Sequence, residues 1–70
     1  MNTNTERLNE LLYERRKTIA DVVRTVGRPG LYSDFVKVRN NSGFVSQKQC
    51  LRVLKMYAEV LDVDVSELQR

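Results

Sequence analysis

Eight side chains between positions 24 and 40 are suited to recognition: Arg24, Arg28, Tyr32, Ser33, Asp34, Lys37, Arg39 and Asn40. Guanidinium and ammonium groups neutralise phosphates or carboxylates, while hydroxyl, amide and carboxylate groups exchange hydrogen bonds with base edges or with a protein surface. Tyrosine adds apolar area and a hydroxyl, the combination that anchors protein interfaces. The chain has no histidine, a single cysteine and no Gly-rich phosphate loop, so acid–base, nucleophilic and metal chemistry lack their components and an enzyme is not expected. No cofactor, metal or small-molecule substrate is implied. Cys50 reads as a small packing residue.

Presenting those eight residues takes two helices and a corner. Thr18 and Asp21 have the S/T-x-x-D spacing of a helix start, at which each side chain satisfies a free backbone N–H. Val22, Val23 and Val26 form an apolar stripe, and Gly27, Pro29 and Gly30 stop that helix. Leu31, Phe35 and Val38 mark the buried face of the next helix, which leaves Tyr32, Ser33, Asp34, Lys37 and Arg39 to look outward. This is the layout of a helix-turn-helix.

The flanks read as support. Residues 1–4 are expected to be disordered or to form a cap, with Thr3 and Glu6 at capping-box spacing. Leu8, Leu11 and Leu12 face inward on a first helix that ends near Lys17, Glu10 is the expected ion-pair partner of Arg7, and Arg15, Arg16 and Lys17 either suit the last turn or contact a phosphate or an acidic partner. Asn40 to Gly43 reads as a loop. Ser46 and Gln49 repeat the capping spacing and open the longest helix, whose stripe is Leu51, Leu54, Ala58 and Leu61, broadened by Val53, Tyr57 and Val60. Asp62 to Asp64 breaks it, and Asp64 with Glu67 starts a last turn anchored by Leu68. Tyr13 and Tyr57 are assigned to packing. The expectation is one all-α domain over residues 1–70, with four helices and a short fifth turn.

Seventy residues bury only about 60% of their unfolded surface, so the core is modest and a partner would help it. Net charge is +3, with eight Lys/Arg against five Asp/Glu in residues 1–44 and four against four in residues 45–70. The positive field therefore belongs to the half that holds the motif, which suits nucleic acid or an acidic protein surface. There is no apolar run long enough for a membrane span and no secretory signal, so a cytoplasmic protein is expected. No segment offers a dedicated dimerisation helix, although an apolar strip around Val60 and Val63 could pair two copies.

The order of parts resembles the Cro/C1-type, or XRE, helix-turn-helix family of small phage and bacterial regulators, from Arg7 to Leu68. LRVLKMYAEVLDVDVSEL is similar to the family's leucine-rich final helix, short break and S-x-x-E-L-like turn. FVKVRNN, Phe35 to Asn41, resembles the family's I-S-R-I-E-N-G, and Thr18 stands in its helix-capping place. The resemblance implies a lambda-repressor-like fold. Two departures accompany it: the corner Arg28 to Leu31 is about two residues longer than usual, judged from the flanking apolar stripes, and Tyr32, Ser33 and Asp34 replace the usual DNA-reading Gln, Ser, Thr or Arg.

The whole chain is also similar to small phage regulators encoded opposite the phage repressor, which act by complex formation with it in the bacterial host cell. That implies an antirepressor whose partner is the N-terminal DNA-binding domain of a CI-type repressor, met by Tyr32, Asp34 and neighbouring charges. The alternative is a Cro-like repressor that binds operator DNA alone or as a heterocomplex. In that reading Lys37, Arg39 and Asn40 approach DNA, Arg24 and Arg28 neutralise phosphates, and Ser33 and Asp34 touch base edges.

Overall fold

The Thr18 hydroxyl accepts the Asp21 N–H at 3.1 Å while the Asp21 carboxylate accepts the Thr18 N–H at 2.9 Å, so the predicted reciprocal cap forms and fixes where the second helix begins. The computed structural model describes residues 3–70 and is all-α. Its elements are α1 (Thr5–Glu14), α2 (Ile19–Val26), a 3-10 turn (Pro29–Leu31), α3 (Tyr32–Asn40), α4 (Gln47–Leu61) and a second 3-10 turn (Val65–Leu68). Gly27 ends α2 at φ 76°, a left-handed conformation that an L side chain resists. Arg28 to Leu31 then makes its own 3-10 turn, so the long corner is an ordered element joining α2 to α3.

The core gathers Leu8, Leu11 and Leu12 from α1, Ile19, Val22 and Val23 from α2, and Phe35 and Val38 from α3. These pack against Cys50, Val53, Leu54, Tyr57, Ala58 and Leu61 of α4, and Leu68 closes the base. Tyr57 lies at the centre. Its hydroxyl donates to the Phe35 carbonyl at 2.7 Å, and its ring meets Phe35 at 4.8 Å between centroids, tilted by 58°. Burial pushes the Tyr57 hydroxyl well above its ordinary range, so it stays protonated and a donor.

Several local expectations are corrected. Asn4, not Thr3, caps α1 by accepting the Arg7 N–H at 3.1 Å. Thr3 is instead wholly buried: Asn41 Oδ1 accepts its N–H at 3.1 Å, and Asn41 Nδ2 donates to its carbonyl at 2.8 Å. Residues 1 and 2 of the predicted disordered or capping stretch lie outside the described residues. With a bridge from Thr3 to Gln69 and a 2.8 Å bond from Asn4 N–H to the Leu68 carbonyl, residues 3–5 strap the end of α3 to the end of the chain. Apolar periodicity cannot register such a strap, because its bonds are polar and separated by 34 to more than 60 positions.

The first helix stops at Glu14, and Arg16 turns left-handed at φ 53°, so Arg15, Arg16 and Lys17 lie beyond it rather than in its last turn. Tyr13, assigned to packing, is 86% exposed. Leu51 is also exposed, because Cys50 takes the inward place one residue earlier on α4. Ser46 caps α4 as expected, but the Gln49 side chain reaches Asp34 at 3.2 Å instead of closing the box. Asp64 caps the last turn through the Ser66 N–H at 2.9 Å, not through a pairing with Glu67. Glu67 turns to Arg7 at 2.9 Å, and Arg7 also holds its expected partner Glu10 at 3.3 Å. Among the described residues no helix is long and apolar enough to cross a membrane.

Candidate recognition surface

The side chains of α3 advance about 100° per residue, which sorts the candidate residues into three rows. Phe35 and Val38 point into the core. Tyr32, Val36 and Arg39 form one flank, where they line a cleft of about 620 Å³ with Asn9, Leu12, Lys17, Thr18, Ile19 and Ala20. Asp34 lies on the opposite flank against α4, where its carboxylate accepts from Gln49 Nε2. Ser33 and Asn40 ride the exposed ridge between the flanks, with Lys37 beside them.

Tyr32 is 48% exposed and is also part of a second cleft, of about 460 Å³, with Ala20, Val23, Arg24, Gly27 and Pro29. The two clefts share Ala20 and Tyr32, so the tyrosine stands where they meet. Its half-buried setting fixes the ring while leaving apolar area to offer, which is how an interface anchor is pre-organised. The cations beside it are Lys17 and Arg39 in one cleft and Arg24 in the other. Arg24 is exposed and pairs loosely with Asp21 at 3.4 Å, and Arg39 Nε donates to Asn40 Oδ1 at 3.1 Å. The Thr18 N–H holds the Asp21 carboxyl below its ordinary range.

The structure brings Tyr32, Arg39 and Arg24 to one side and keeps Ser33, Lys37 and Asn40 on the ridge next to them. It does not bring Arg28 or Asp34 into that group. Arg28 falls in a separate cleft with Val26, Arg52, Met56 and Glu59, because the 3-10 turn carries it towards α4. Tyr32 and Asp34, read together as one contact, straddle the helix about 160° apart.

Lys17, which the sequence placed in the last turn of α1 with a partner contact as the alternative, lies beyond that helix and lines the cleft. Sequence reasoning missed Phe44, which is 100% exposed. A signal for it was available. Val45 immediately precedes the Ser46 cap and takes the staple place against the core, so the Phe44 before it had no packing duty left. No protein-family model, curated protein or solved structure matches this chain.

Proposed function

We propose that this chain is a phage genetic-switch regulator that binds the N-terminal DNA-binding domain of a CI-type repressor through its helix-turn-helix region and keeps that repressor from its operator. The reading rests on the resemblance to Cro/C1-type regulators, and in particular to the modulators of repression of lactococcal temperate phages. The observation that carries it is Tyr32, half-exposed at the junction of two clefts on the α2–α3 side. An aromatic anchor at that place suits a protein surface with a complementary ridge better than a stack of paired bases. Asp34, at the start of α3, is tied to Gln49 through Oδ2 and keeps Oδ1 for a basic group of the repressor. It would repel a phosphate at the same place.

A second reading, direct operator binding, is favoured by one observation. Lys17 and Arg39 line the cleft beside the start of α2, where free backbone N–H groups and the helix dipole also attract anions. Tyr32→Ala separates the readings. Under the repressor reading it weakens the complex with purified repressor at least tenfold, measured by sedimentation, and leaves α2 and α3 folded. A variant that binds the repressor as tightly as the parent would remove Tyr32 from the interface, and a parent that shifts operator DNA alone and never touches the repressor would decide for the second reading.

A further inference from the structure

Phe44 is the most anomalous side chain in the structure. In a chain with 5 aromatic residues, counting 3 Tyr and 2 Phe, this one is wholly exposed while Phe35 and Tyr57 are wholly buried. Its loop is tied down on both sides. Before it, the left-handed Asn41 ends α3 and bonds to Thr3 and Thr5, and Gly43 (φ 75°) packs so closely that a Cβ there would come within 2.9 Å of Lys37 Cδ. After it, Val45 packs against the core and Ser46 caps α4. The exposed ring therefore projects from a backbone with little freedom left to lose on binding, and that lowers the entropic cost of docking.

Cations flank it. The aliphatic stem of Lys37 lies against Gly43, so its ammonium is carried to the base of the loop. Lys48 is exposed in the first turn of α4, where the helix dipole disfavours a cation and no acidic residue offsets it. The ion pairs among the described residues use Arg7, Arg15 and Arg24, and neither of these lysines.

We infer that Phe44 is a second anchor for the same partner: it enters an apolar pocket, rimmed by carboxylates, on the DNA-binding domain of the repressor. This rests on the repressor reading above. From Tyr32 to Asn40 α3 rises roughly 12 Å, which brings the start of the Phe44 loop within the span of one interface of about 800 Å² per partner. A second copy of this chain is a poor host, since cations outnumber carboxylates in its clefts: Lys17 and Arg39 stand unopposed beside Tyr32, and Glu14 and Glu59 each share a cleft with two cations. Duplex DNA offers an apolar slot only where base pairs unstack, at a cost of a few kcal/mol per step.

The chain contains no tryptophan, so Phe44→Trp made with 5-fluorotryptophan gives a single fluorine signal. Titrating this variant of the 70-residue chain with purified repressor should move that signal and remove its response to solvent D2O. In parallel, Phe44→Ser should lose at least tenfold in affinity at an unchanged melting temperature, and Lys48→Glu several-fold, with a smaller salt dependence. If sedimentation shows the complex but the fluorine signal stays as in the free chain, or Phe44→Ser binds within twofold of the parent, the second anchor is refuted and the repressor reading stands. If the repressor does not bind the parent at all, both fall. A fluorine shift on adding operator duplex without repressor overturns the pocket in favour of base contact.

Discussion

Asn41→Gly sets two effects of known sign against each other. Asn41 ends α3 at φ 52° and ψ 40°, the left-handed region that glycine enters freely. Conformation alone therefore predicts that glycine relieves up to about 1 kcal/mol at this position. The Asn41 side chain, however, accepts from Thr3 N–H at 3.1 Å and donates to the Thr3 carbonyl at 2.8 Å and to Thr5 Oγ1 at 3.1 Å. Two of these bonds serve a residue that is 0% exposed, where each contributes about 1 kcal/mol and an unpartnered group costs about 1–3 kcal/mol more than its exposed counterpart. The polar loss wins. The expected net destabilisation is about 2 kcal/mol, or a fall of roughly 8–16 °C in melting temperature for a domain of this size. Circular dichroism melts and urea titrations measure it directly, with the Thr3 and Asn4 amides expected to lose hydrogen-exchange protection in the same variant. Asn41→Ala, which loses the same bonds and keeps the backbone strain, should be about 1 kcal/mol worse again. An Asn41→Gly protein as stable as the parent would show that the Asn41 bonds to the N-terminal strap contribute nothing, and the fixed geometry argued for the Phe44 loop would lose its support.

Tyr57→Phe removes one buried hydrogen bond but leaves the Phe35 carbonyl its place in the α3 ladder, so a loss of about 1–1.5 kcal/mol in urea titrations is expected. Leu68→Ala empties a fully buried position that closes the base of the core and should cost about 2–4 kcal/mol. Asp21 is ionised and held below its ordinary range by the Thr18 N–H, as is Asp64 by the Ser66 N–H. A carboxyl whose folded pKa is depressed adds stability that is present above its unfolded value, near 3.8, and is lost as pH falls through the folded one. Melting temperature should therefore drop below about pH 4, and Asp21→Asn should flatten part of that drop.

The all-α architecture was legible because it is written in local periodicity. Leu8–Leu11–Leu12, Val22–Val23, Phe35–Val38 and Leu54–Ala58–Leu61 all face inward as their spacing requires, and the Thr18–Asp21 box and the Gly27 stop carry their own side-chain chemistry. Several misplaced parts share a cause: they depend on partners far away in the chain. Thr3 looked like a cap by spacing but is claimed by Asn41, Gln49 by Asp34, and Glu67 by Arg7. Tyr13 adjoins a leucine stripe in sequence, yet the helix ends one residue later and turns its ring to solvent. Of the candidate surface, type and rough place were legible. The split of Tyr32 from Asp34 follows from their two-residue spacing on any helix and was legible too, whereas the place of Arg28 in a cleft with α4 residues depends on the path of the corner, which periodicity does not encode.

That split bears on how the two functional readings are told apart. Three cations, Lys17, Arg24 and Arg39, share the clefts around Tyr32, and two of them are engaged, Arg24 by Asp21 and Arg39 by Asn40. If the chain bound operator DNA through that side and all three met phosphates, the logarithm of affinity would fall against the logarithm of salt with a slope of about −3. Asp34 and Phe44 add nothing to such a complex, and Asp34 opposes it. A measured slope of about −3 for the chain alone would place the three flank cations on DNA, a steeper one would bring in the ridge lysine Lys37 as well, and either would count against repressor contact. A chain that shows no affinity for the duplex at any salt, yet removes the band formed by the repressor, has its cations serving a protein surface. In that case Tyr32→Ala and Phe44→Ser should each restore the repressor's band, and Lys37→Ala should do so only weakly, because its stem packs on Gly43 while its charge sits at the rim, where ion pairs contribute little.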